Sequence, residues 1–105
     1  MAKYVLAYHG GGEMPKTEEA QAGVYEAWNA WFGSLGESVA DVGNPIGQTK
    51  TIASDRSMTD GGGANPITGY SLITAESVDE AVTKAKGCPA LAIGGSVEVA
   101  EAIDM

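Results

Sequence analysis

Tyr70-Ser71-Leu72-Ile73-Thr74-Ala75-Glu76-Ser77-Val78-Asp79-Glu80-Ala81-Val82-Thr83-Lys84-Ala85-Lys86-Gly87 decides the fold, because a strand pattern gives way to a helical one inside it. Tyr70 to Thr74 reads as a strand. Ser77 then opens a helix with a capping box: Ser77 and Glu80 stand three apart, so each side chain can satisfy a backbone donor of the other. Val78, Ala81, Val82 and Ala85 share one helical face, and Lys84 and Lys86 fall at the negative end of the dipole. Gly87 followed by Pro89 stops the helix.

Beyond it, Ser96 to Ile103 reads as a closing strand, with Val97, Val99 and Ile103 facing one way and Glu98, Ala100 and Ala102 the other. Toward the N-terminus, the pattern repeats. Lys3 to His9 alternates as a strand, apolar on both faces and therefore central, and Gly10, Gly11 and Gly12 end it. Glu18 to Leu35 then carries a helical stripe, Val24, Trp28, Trp31 and Leu35, whose steps of four, three and four confine these residues to roughly 60° of arc. Thr17 is its predicted N-cap, Glu18 and Glu19 suit the positive end of its dipole, and Gly36 suits a left-handed terminus. Ser38 to Val42 is a short strand closed by Gly43, Asn44 and Pro45, and Gln48 to Ala53 follows as the second half of a hairpin-like edge. Ser54 to Pro66 has five turn formers and no apolar period, which predicts loop.

The order is strand, helix, strand pair, strand, helix, strand within a single domain over 1–105. This is an α+β chain on the ferredoxin-like split βαβ plan, an antiparallel sheet with two helices on one face. The other face is left bare, with apolar side chains from at least the first and last strands. A symmetric homodimer burying sheet on sheet is the expected consequence.

Composition narrows the chemistry. Fourteen acidic residues against six basic ones give a net charge of −8, which disfavours nucleic acid and anionic membrane surfaces as partners. Neither a signal-peptide pattern nor an apolar run of membrane-spanning length is present, so a soluble cytoplasmic protein is expected. One cysteine, Cys88, excludes an intrachain disulfide framework, and one histidine, His9, excludes nearly every histidine-based metal site. No metal or organic cofactor is expected.

Several short motifs have plainer readings. His9-Gly10-Gly11-Gly12 spells the oxyanion-hole string of lipase-like hydrolases, yet no Gly-x-Ser-x-Gly accompanies it. Gly10 to Thr17 nearly spells a phosphate-binding loop, but Pro15 replaces the second glycine and its N–H, and Glu13 would put a negative charge in the cradle. Cys88 follows a helix C-terminus, whose partial negative charge disfavours a thiolate, so a packing role beneath Pro89 is expected. Trp28 and Trp31 belong to the apolar stripe, with Trp31 also a candidate pocket wall beside Tyr70. His9, at a strand end beside glycines, is the natural acid–base group, and Asp60 in Thr59-Asp60-Gly61 is the carboxylate expected to pair with it. The candidate ligand pocket is thus His9, Trp31, Asp60 and Tyr70, at the C-terminal end of the first strand, with the Asp60 loop closing over it.

The opening Lys3 to Tyr8, the Thr59-Asp60-Gly61 loop, the run Gly69 to Ala81 and the ending Gly95-Ser96-Val97-Glu98-Val99 together resemble the YCII-related family, and within it the branch named for a DGPF motif. The resemblance implies a dimeric α/β barrel, two ferredoxin-like sheets packed face to face, with a small-molecule cavity. It carries over no reaction. The histidine of the first helix and the aspartate before a proline, which in YCII-like members suggest an enzyme, are both missing, since the first helix has no histidine and Cys88 precedes Pro89. Asp60 and Gly61 match the first half of the branch motif, while Gly62 and Gly63 replace its proline and phenylalanine. The expected function is a small-molecule-binding or regulatory homodimer. The alternative is a small cofactor-independent enzyme of lyase or isomerase type acting on a small polar or aromatic molecule.

Overall fold

In the computed structural model, which describes residues 1–11 and 15–105, the chain runs β1 (Ala2–His9), α1 (Glu18–Leu35), β2 (Val39–Pro45), β3 (Lys50–Ile52), β4 (Met58–Asp60), β5 (Ile67–Ala75), α2 (Val78–Ala85) and β6 (Ser96–Ala102). Short 3-10 turns, Gly36–Ser38 and Pro89–Ile93, follow α1 and precede β6. Strands β2, β5, β1 and β6 form, in that order, a four-stranded antiparallel sheet, an arrangement compatible with the ferredoxin-like plan. Of the glycine loop after β1, Gly12 and Glu13 lie outside the described residues.

Alternation on the central strands sets the layers. Tyr4, Leu6 and Tyr8 of β1 pair with Ile73, Ser71 and Gly69 of β5, all buried on one face. Against them pack Trp31 of α1 and Ala81 and Ala85 of α2, with Trp28, Phe32, Leu35, Val97 and Val99 around the edge. The stripe read from the sequence of α1 is therefore the face that the helix buries. Tyr8 and Ser71 bring two hydroxyls into this core and satisfy them in series: the Tyr8 hydroxyl donates to Ser71 Oγ at 2.7 Å, and Ser71 donates to the Val42 carbonyl at 2.6 Å. Three strands are tied by that relay. Burial pushes the Tyr8 phenol up to about 12 against the opposing pull of its bond to Ser71, so the neutral donor form is the one held.

Both predicted N-cap side chains are in place, although the reciprocal half of the Ser77–Glu80 box is not formed. Thr17 Oγ1 accepts from the Ala20 amide at 3.2 Å, and Ser77 Oγ accepts from the Glu80 amide at 3.2 Å. Glu80 turns its carboxylate to Lys84 Nζ at 3.0 Å, an i,i+4 pair that holds this carboxyl below its ordinary range. Ser77→Ala is expected to cost about 1 kcal/mol through the orphaned amide, read as a lower denaturant midpoint with unchanged slope.

Four expectations are corrected. β5 begins at Ile67, ahead of the expected Tyr70, and runs through Ala75. β2 continues past Gly43 to Pro45, because a bulge absorbs the glycine without leaving the ladder: Asp41 opposes Leu72, and Asn44 opposes Tyr70. The segment after it does not pair back on β2. Lys50–Ile52, inside the expected Gln48–Ala53 strand, instead pairs with Met58–Asp60, inside the expected loop, as a separate two-stranded ribbon. Its turn is set by polar contacts, with Asp55 Oδ1 accepting from the Ser57 amide and hydroxyl and Arg56 held at a φ of 74°. Finally β6 ends at Ala102, leaving Ile103 exposed beyond the ladder.

Candidate functional site

The same alternation that buries Tyr4, Leu6 and Tyr8 turns Val5, Ala7 and His9 to the face away from the helices. Cross-strand register adds Tyr70 and Leu72 from β5, Glu98 and Ala100 from β6, and Asn44 from β2 to that face. The result is an apolar centre, Val5, Ala7, Leu72 and Ala100, with polar groups toward the end of β1 where the glycines begin.

His9 is fixed on both sides. Its Nδ1 lies 3.0 Å from the Asn65 carbonyl and 3.3 Å from that of Pro66, and its Nε2 lies 3.0 Å from Glu98 Oε1. Carbonyl oxygens only accept, so Nδ1 carries a proton and donates. The side chain of His9 is 12% exposed, whereas that of Glu98 is 67% exposed: the imidazole belongs to the wall, and the carboxylate reaches it from solvent. Tyr70 stands across β1 from Glu98, since both oppose Ala7. The Tyr70 hydroxyl accepts from Asn44 Nδ2 at 3.2 Å, which leaves its own proton free to donate.

Of the four predicted site residues, the fold brings His9 and Tyr70 to one face and places the other two elsewhere. Asp60 ends β4, where it accepts from Lys50 Nζ at 2.7 Å with its side chain 83% exposed. The long connection does reach His9, but through the backbone of Asn65 and Pro66. The carboxylate that meets the imidazole is that of Glu98, 89 residues on in the chain. Trp31 is buried in the core among the helices, its indole N–H donating to the Lys84 carbonyl at 3.2 Å. Sequence reasoning passed over Glu98. It was legible as a polar residue on the outer face of the last strand, but only the register of β1 with β6 makes it the diagonal neighbour of His9.

Two apolar grooves lie on the helical side. One, of about 370 Å³, runs between α2 and β6 along Val82, Ala85, Leu91, Val97 and Val99, with Lys86 at its rim. The other, of about 270 Å³, lies between α1 and the Pro89–Ile93 turn, with Trp28 as its largest wall. Neither includes His9, Tyr70 or Asp60. Cys88 is buried, and burial pushes its thiol up to about 11, so at neutral pH it is a packing residue with no thiolate to offer. Among the described residues no group of three or more His, Cys, Asp or Glu is placed to hold a metal ion, and no helix is long and apolar enough to cross a membrane. Comparison of the chain with protein-family models finds no match, and comparison with curated proteins finds none of significance.

Proposed function

We propose that the protein is a small-molecule-binding or regulatory homodimer of the YCII-related type, in which two copies pack the bare faces of their sheets together as a dimeric α/β barrel. The observation that carries this reading is the bare face itself: Val5, Ala7, Leu72 and Ala100 form a contiguous apolar centre on the side of the sheet opposite Trp31, Ala81 and Ala85. Surface area supports it. The chain exposes 7168 Å², about 1,700 Å² more than a monomer of this mass is expected to expose. That excess is spread over the chain, the wholly exposed β3–β4 ribbon included, and is of the order that a partner copy covers in a large dimer interface.

Within such a barrel the His9, Glu98, Tyr70 and Asn44 group would border the space between the two sheets, where a small molecule meets apolar walls and a few convergent polar atoms. The contact between His9 and Glu98 also favours the second reading, a cofactor-independent enzyme of lyase or isomerase type with His9 as the proton-transferring group. Light scattering at micromolar concentration tests the dimer. The expected mass is twice the 10.7 kDa of the chain, and a concentration-independent mass of one chain would remove the barrel. Turnover of a bound molecule would decide for the enzyme, and saturable binding without turnover for the regulatory dimer.

A further inference from the structure

The geometry points to His9 Nε2 and the Tyr70 hydroxyl as a recognition site for a small carboxylic acid, with the Glu98 carboxylate occupying the ligand's place in the free protein. Three observations converge on it. First, the two sides of the imidazole differ in kind. Nδ1 is bound to two backbone oxygens, of Asn65 and Pro66, which hold the ring's orientation and tautomer, while Nε2 meets a mostly exposed side chain that can swing into water. What sits at Nε2 is therefore exchangeable, and what it selects is a carboxyl group. An imidazolium donates to a carboxylate there, and a neutral ring with its proton on Nδ1 accepts from a carboxylic acid, so the same ligand class fits either state.

Second, the Tyr70 hydroxyl is pre-oriented. Because it accepts from Asn44 Nδ2, its own O–H is directed away from that bond, as a second donor on the same face. Third, Ala7 lies between Tyr70 and Glu98 in one cross-strand row. Two strand spacings put those flanking residues about 10 Å apart, and the lone methyl of Ala7 leaves the space above it open. Val5 and Leu72, the next row along, supply an apolar floor for the body of the ligand. A carboxylate on a ring or short hydrocarbon fits this distribution. The net charge of −8 opposes any anion, so recognition has to rest on these donors and on displacement of Glu98 rather than on long-range attraction.

This inference rests on reading the bare face as the ligand-bearing one. Its test uses benzoate, with benzamide as the neutral isostere, and follows the ring resonances of the single histidine by NMR. Benzoate is expected to move them saturably and benzamide is not. Glu98→Gln, which removes the competing carboxylate, is expected to tighten benzoate about two- to fivefold, the factor set by an exposed ion pair. Equal responses to benzoate and benzamide, or benzoate affinity unchanged or weakened in Glu98→Gln, would overturn the site. His9→Gln is expected to abolish binding with the amide spectrum otherwise retained. Should that variant lose its fold, the first two comparisons decide alone. A dimer indifferent to benzoate sinks this site and leaves the barrel standing, and a monomer that binds benzoate through His9 does the reverse.

Discussion

Gly43→Ala is expected to destabilise the protein by about 3–5 kcal/mol, a large part of the 5–15 kcal/mol that holds a domain together. Gly43 has a φ of +75°, where a side chain costs about 1–2 kcal/mol on conformational grounds alone. Space is the larger obstacle. A Cβ at this position would stand 1.7 Å from the Tyr70 carbonyl oxygen and 2.6 Å from its carbon, both backbone atoms inside the β5 ladder. No rotamer change relieves such a contact, so β2 must move off β5. That movement would also pull the Val42 carbonyl from Ser71, and Ser71 is the acceptor of the buried Tyr8 hydroxyl. Gly36→Ala is the control. Gly36 also has a positive φ, 58°, but an added Cβ there meets nothing within 4 Å, so only the conformational cost applies. Urea melts of the two variants should therefore differ by 2 kcal/mol or more, about the clash and hydrogen-bond contribution. Equal losses would show that the bulge accommodates a side chain.

Gly43 also marks where sequence reading and fold part company. Glycine, asparagine and proline in a row read as a turn, and turn chemistry is local. The bulge exists because β5 lies alongside, a partner 26 residues away that no local pattern announces. Of the β3–β4 ribbon, β3 is legible within Gln48–Ala53, but β4 and the pairing are hidden for the opposite reason: the turn is local but uses Asp55 and Ser57 in place of glycine, and Met58 is exposed, so no apolar period marks β4. By contrast α1 was legible from end to end. Its apolar stripe and its threonine cap agree, and the bounds, Glu18 and Leu35, are those found, while Gly36 ends it at φ 58° and ψ −126° and not in the left-handed helical conformation expected. The central strands were legible because both of their faces are constrained, one by the helices and one by the apolar row of the bare face.

The site was half legible on the same principle. His9 and Tyr70 sit on strands whose alternation the sequence displays, so their sharing a face follows once β1 and β5 are paired. Asp60 was linked to His9 by chemistry alone, and nothing in the chain's periodicity relates the two. Glu98 is the reverse case, a residue on a readable strand whose meaning depends on register. Cross-strand diagonals shift with every one-residue slip, which is why a sheet can be anticipated from sequence before its side-chain pairs can.

Trp31→Ala is expected to cost about 3–5 kcal/mol, the range for removing a buried indole that its surroundings cannot replace. Three neighbours define the loss. The ring packs with Trp28 and Phe32 at centroid separations of 5.8 and 5.0 Å, and it lies close against Gly87 just past the end of α2, where an added Cβ would come within 3.2 Å of it. Its N–H donates to the Lys84 carbonyl at 3.2 Å in the last turn of α2, and the same carbonyl otherwise accepts a long 3.4 Å bond from the Gly87 amide beyond the helix end. One side chain thus packs α1 against the end of α2 and caps it. Trp31→Phe separates the two roles, because it keeps most of the apolar volume and removes the donor. The phenylalanine variant is expected to lose about 1–2 kcal/mol, from the lost indole hydrogen bond, which leaves the Lys84 carbonyl with the long bond from Gly87, and from the smaller ring. Denaturant midpoints of the two variants decide between a core residue and the ligand-facing wall that the sequence also allowed: a surface-lining indole would cost less than 1 kcal/mol in either substitution. Benzoate binding at His9 should survive Trp31→Phe, since the sheet lies between the two residues. Loss of binding with the fold intact would bring Trp31 back into the site.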